Sequence, residues 1–126
     1  MKNLFRYVFM LLCVNAIAPI SSQASALSAS EPAVVRSQLH GFSMYPTIKS
    51  GDYVVYRKTQ FSNLKPGDIV VFVDTQTGER VCHRIVEIED GRAKSKGDNN
   101  RFRDRGFISD QNLLGKVTHI GGRSLS

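Results

Sequence analysis

The chain has 126 residues, enough for one domain with a modest core. At 41% hydrophobic and 22% charged residues, its composition excludes a disordered or fibrous protein. The net charge of +6 would suit an anionic partner, yet no basic helix or zinc-ligand spacing accompanies it, which argues against nucleic acid.

Lys2 and Arg6 open the chain, and a 14-residue apolar run follows at 7–20, interrupted by Asn15 and Pro19. A bilayer span takes about 20 apolar residues. The short run, its positive flank and the small-x-small triplet Ala24-Ser25-Ala26 predict an export signal or a marginal N-terminal membrane anchor over 1–26, as a short apolar helix. Either one delivers the body to the non-cytoplasmic side: periplasmic, extracellular or, in a eukaryote, lumenal. Residues 27–38 read as a linker and 39–126 as a β-rich domain. Cys13 lies in the apolar run and Cys82 in the body, so a disulfide scaffold is not expected.

The body is a succession of short strand signals. Residues 38–42 look extended, and Ser50-Gly51-Asp52 is a turn. β-Branched and aromatic residues at 53–57 predict a strand. Lys65-Pro66-Gly67-Asp68 carries Pro and Gly where a turn favours them, and 69–73 is a short buried strand. A hairpin loop at 74–79 leads to the longest strand, 80–89. Side chains alternate there, so Val81, His83 and Ile85 share one face and Cys82, Arg84, Val86 and Ile88 the other. A turn at Asp90-Gly91-Arg92 gives a return strand over 93–96. A polar loop at 97–106, a helical turn at 110–114 and a last strand at 116–120 complete the chain. Tyr45, Tyr53 and Tyr56 are expected to pack on the strands. Short strands with Gly/Pro turns imply an all-β domain, a compact barrel or sandwich.

Gly41-Phe42-Ser43-Met44-Tyr45-Pro46-Thr47-Ile48 holds one hydroxyl between a flexible residue and a stiff one. A serine becomes a nucleophile only beside a base. His40, His83 and His119 can accept a proton near neutral pH. A catalytic imidazole also needs a carboxylate to hold its tautomer, and the loop offers Asp98 and Asp104. Which aspartate contacts the histidine stays open at this level.

Four boxes occur in order: Ser43-Met44-Tyr45-Pro46-Thr47; Lys65-Pro66-Gly67-Asp68-Ile69-Val70-Val71-Phe72; His83-Arg84-Ile85; and Lys96-Gly97-Asp98-Asn99-Asn100 with Asp104-Arg105-Gly106. Together they resemble the type I signal peptidases, in particular the endoplasmic-reticulum and archaeal branch, over residues 39–120. In the bacterial branch a lysine followed by arginine is the base; here His83 takes that place and Arg84 follows. The resemblance implies a serine endopeptidase with Ser43 as nucleophile, His83 as general base, Asp104 orienting it and Asp98 in support. It implies the Ser43 N–H as an oxyanion donor, with Gly41 where many bacterial relatives carry a second hydroxyl. Phe42 and Met44 either line the site or pack in the core.

The implied substrates are signal-peptide-bearing precursors, bound as an extended strand beside the segment before Ser43 and cut after an A-x-A motif. A membrane lipid surface and accessory subunits are further implied partners; no cofactor or metal is expected. Two alternatives remain: a self-processing Ser/Lys peptidase using Lys94 or Lys96, and a non-catalytic β module that binds peptides or lipid. Cys82, beside His83, should face away from it on the strand.

Overall fold

The computed structural model describes residues 33–125. The predicted export signal or anchor, with its short helix, lies outside these residues, as does the first half of the predicted linker. The described chain runs β1 (Val34–Gln38), β2 (Tyr53–Arg57), a 3-10 turn (Phe61–Asn63), β3 (Ile69–Val73), β4 (Arg80–Glu89), β5 (Arg92–Lys96), β6 (Leu113–Ile120) and β7 (Arg123–Ser124). The fold is all-β, as the turn spacing implies. No helix among the described residues is long and apolar enough to cross a membrane.

The strands form one antiparallel sheet in the order β1-β2-β6-β3-β4-β5, with β7 added to β6. β3 is central and its run of apolar residues is covered on both faces. Ile69 and Val71 enter one cluster with Met44, Ile48, Val54, Tyr56, Cys82 and Val117. Val70 and Phe72 enter the other with Phe61, Leu64, Ile85, Ala93 and Ile108. A fully buried Val or Ile contributes about 1.5–3 kcal/mol, so a charge at Val70, which has no exposed surface, would unseat the sheet's centre.

Asp68 closes the turn before β3. Its Oδ2 accepts the Lys65 N–H at 3.0 Å and its Oδ1 takes the Lys116 ammonium at 3.2 Å. On β4, residues Arg84–Glu89 pair with β5, whereas Arg80–His83 pair only with β3. The first half of β4 therefore presents an unpaired edge.

One local expectation is corrected. Residues Val34–Gln38, assigned to the linker, form β1, because β2 supplies a full register of partners from Val34↔Arg57 to Gln38↔Tyr53. The helical turn expected at 110–114 forms as a single turn, closed by the Leu113 N–H on the Ser109 carbonyl at 3.1 Å, and β6 starts at Leu113. Asn112 holds it: its Nδ2 donates to the Val73 and Phe107 carbonyls, and its Oδ1 accepts the Ser109 N–H, pulling the segment into the sheet. Of the tyrosines, Tyr56 is buried, whereas Tyr45 and Tyr53 are exposed.

Candidate active site

Ser43 lies in the loop between β1 and β2. Gly41 enters it at φ 106°, a conformation that favours glycine. The Tyr45 N–H then closes a turn on the Phe42 carbonyl, and the Ile48 N–H reaches the Met44 carbonyl. Met44 and Ile48 are buried beneath, anchoring the loop. A second loop clamps it from above. The Asn99 N–H donates to the Ser43 carbonyl at 2.8 Å, and Asn99 Nδ2 donates to the Phe42 carbonyl at 3.1 Å. A Cβ at Gly97 would stand 2.6 Å from the Ser43 carbonyl oxygen, so only glycine permits this approach.

His83 projects from β4 on the face of Val81 and Ile85, with the Phe72 ring edge-on at 6.4 Å. Its Nε2 is 3.1 Å from Ser43 Oγ, across 40 residues of sequence. Its Nδ1 is 2.7 Å from Asp104 Oδ2. A carboxylate only accepts, so Nδ1 carries the proton and Nε2 offers its lone pair to the Ser43 hydroxyl. Asp104 Oδ2 also accepts the Ser95 hydroxyl at 2.6 Å, and the Asp104 N–H donates to the Ser95 carbonyl at 2.8 Å. Ser95 is 1% exposed. Nothing in the sequence pattern singles it out except its place on the strand beside the loop.

A cleft of about 230 Å³ opens at Ser43 and His83, floored by Leu39, Met44, Ile48 and Cys82. Among the described residues no acceptor takes the Ser43 N–H. The Gly41 N–H, by contrast, donates to Ser50 Oγ at 3.1 Å.

With this geometry in place, the comparisons with known proteins decide the family. Residues 19–118 match the Peptidase S24-like family. The chain belongs to that family. It is also 34% identical over 125 residues to signal peptidase I W of Bacillus subtilis (strain 168), an alignment covering 91% of this chain. The chain spans 63% of that relative's own length. These likenesses make it a relative of serine peptidases, a group with both signal peptidases and self-cleaving members.

In this S24-like chain the two aspartates of the loop part company. Asp98 is engaged by Arg84, with Nε on Oδ1 at 2.9 Å and Nη2 on Oδ2 at 2.8 Å. Thr47 Oγ1 donates to Oδ2 at 2.6 Å, and Arg84 Nη1 reaches the Gly67 carbonyl at 2.9 Å. The hydrogen bonds from Arg84 hold the Asp98 carboxyl below its ordinary range, against burial, with Thr47 adding to the effect. The same bonds push the Arg84 guanidinium up. This bidentate pair ties the Ser43 loop, the end of β5 and the turn before β3 together.

Cys82 faces the cluster opposite His83, and burial, with the Asp98 charge, pushes its thiol up to about 12. Met44 is a core residue that also floors the cleft, and its Sδ accepts the Asp98 N–H. Phe42 is 70% exposed and stands outside the cleft lining. Lys94 donates to the Arg105 and Gly106 carbonyls, and Lys96 to the Gly97 carbonyl. His119 bonds Thr118 on the last strand, and His40 lies exposed at the cleft mouth. Among the described residues no cluster of three His, Cys, Asp or Glu side chains could hold a metal ion.

Proposed function

We propose that this chain is a serine endopeptidase that removes N-terminal signal peptides from exported precursors after small residues, in the Ser/His manner of the endoplasmic-reticulum and archaeal branch. The observation that carries the reading is the 3.1 Å approach of His83 Nε2 to Ser43 Oγ, with Asp104 on the other ring nitrogen. Ser43 Oγ attacks the scissile carbonyl as Nε2 takes its proton. Asp104 stabilises the resulting imidazolium, and His83 then protonates the leaving amine. A positioned base of this kind contributes about 10²–10⁴ in rate. The Ser43 N–H, which has no acceptor among the described residues, serves as the oxyanion donor in this reading.

The substrate lies extended between the segment before Ser43 and the unpaired edge Arg80–His83, as one added strand flanked on both sides. Small apolar side chains suit the floor of Leu39, Met44, Ile48 and Cys82. The relative's name supports precursor processing. The basic, then apolar, start of the chain supports a membrane-associated enzyme whose catalytic domain lies on the non-cytoplasmic side. Exposed Phe42 and Phe102, with Arg101 against the Phe102 ring, support a lipid surface as partner; accessory subunits belong to the same reading. Self-processing, favoured by the family's self-cleaving members, would use the same pair, since Lys94 and Lys96 are engaged elsewhere.

The test is cleavage of an A-x-A precursor by the full chain in lipid vesicles. The parent protein cleaves at the motif, and Ser43→Ala and His83→Ala do not, while both keep the parent's melting temperature. Near-normal turnover by His83→Ala sinks the reading. Intact mass of the enzyme incubated alone separates self-processing from action on a precursor.

A further inference from the structure

Two clefts meet at His83, one on each face of β4. The first, of about 230 Å³, lies on the side of Met44 and Cys82. The second, of about 200 Å³, lies on the side of Phe72 and Val81, with Asp104 and Phe107 as walls and Thr75 of the β3–β4 loop at its rim. Phe72 and Val81 are register partners, so both project from the face opposite Cys82. Resting on the peptidase reading above, we propose that the second cleft binds the side chain two residues before the cut and selects a bulky apolar one.

A chain laid along Arg80–His83 is extended, so its side chains alternate between the two faces. Residues one and three before the cut then point into the first cleft, and residue two into the second. The first must hold two side chains in about 230 Å³, whereas the second holds one in about 200 Å³. The same backbone period that demands a small pair on one face leaves room for a large single residue on the other. The second cleft is built for it. Phe72 and Val81 give an apolar floor, Phe107, still 46% exposed, has surface left to cover, and Asp74, Gln76 and Arg105 complete the lining with polar groups. Lys94 holds that ring in place, with Nζ 3.8 Å from its centroid. His83 and Ser95 both sit on Asp104 Oδ2, which ties this carboxylate to the dyad side of the cleft.

The experiment is steady-state cleavage of peptides carrying Ala-x-Ala, with x as Ala, Leu, Phe or Lys, by the full chain in vesicles. The expected kcat/KM for Leu or Phe is about tenfold above that for Ala, the size of effect an apolar pocket gives. Thr75→Trp, which fills the cleft from its exposed rim, and Phe107→Ala, which removes a wall, each bring the Leu-to-Ala ratio towards one. Because the ratio is taken within one preparation, partial unfolding cancels from it. Equal rates for every x, or a preference for Lys over Leu, overturn the subsite and leave the peptidase reading standing. Failure to cleave any peptide overturns both.

Discussion

The loop over 97–106 sends two aspartates to adjacent residues of β4, on opposite faces. Each carboxylate accepts one hydroxyl at 2.6 Å, from Thr47 for Asp98 and from Ser95 for Asp104. Each then meets one β4 side chain, Arg84 or His83. The surroundings are alike and the partners are not. A guanidinium is charged at every working pH, so Asp98 and Arg84 form a permanent fastening. An imidazole can take up or give back a proton, which is the property the proposed reaction asks of the partner of Asp104. The protonation range of the partner, more than the acid's own setting, separates a carboxylate that holds from one that takes part in chemistry.

Substitutions that remove one charge at a time break this comparison open. Asp104→Asn is expected to lower kcat by about 10²–10⁴, because the amide no longer stabilises the imidazolium, with little change in melting temperature. Steady-state kinetics and a thermal melt check it together. Asp98→Asn should do the reverse, losing about 2 kcal/mol of stability, between the values for exposed and buried ion pairs, while the remaining folded enzyme stays active. Denaturant titration reads that loss.

The Asp98 carboxyl also sets an acid limit. Its folded pKa lies below the ordinary 3.8, so the unfolded chain takes up this proton first. The stabilisation is whole above the ordinary value and is lost as the pH falls through the lowered one. Asp98→Asn should therefore flatten the stability profile in that acid window, and a profile as steep as the parent's would contradict the assignment.

Ser95→Ala gives a smaller effect. It is expected to lower kcat about tenfold with KM nearly unchanged, since it frees Asp104 to turn away from His83. Ser95→Thr should restore most of the rate. On the Asp104→Asn background Ser95→Ala should add nothing, which a purely structural role would not produce. Smallest of all, Cys82 should resist iodoacetamide near pH 8 in the folded protein, because its thiol ionises only at about 12.

Much of this framework was legible in residue order. β2, β3 and β4 follow from β-branched runs bounded by Gly and Pro, and the alternation on β4 places His83 and Cys82 on opposite faces. β1 was not legible, because a short edge strand with exposed Val34 and Arg36 carries no composition that distinguishes it from a linker. The start of β6 depends on Asn112 reaching Val73, a contact 39 residues away. The choice between Asp98 and Asp104 was equally hidden, since a loop has no period that aims its side chains. It took Ser95 and Thr47, from two other parts of the chain, to direct them.

β6 sits between β2 and β3, although it is formed by residues that come after every other long strand. Ser43 leads into the β1–β2 half of the sheet, while His83 and Asp104 belong to the β3–β5 half. Strand pairing joins the halves only through this late arrival. A copy still being synthesised, halted before Leu113, would carry hydroxyl, imidazole and carboxylate on two unspliced pieces of sheet, one of two strands and one of three. Only loop contacts, such as the Asn99 N–H on the Ser43 carbonyl, would then be left to bring the two pieces together.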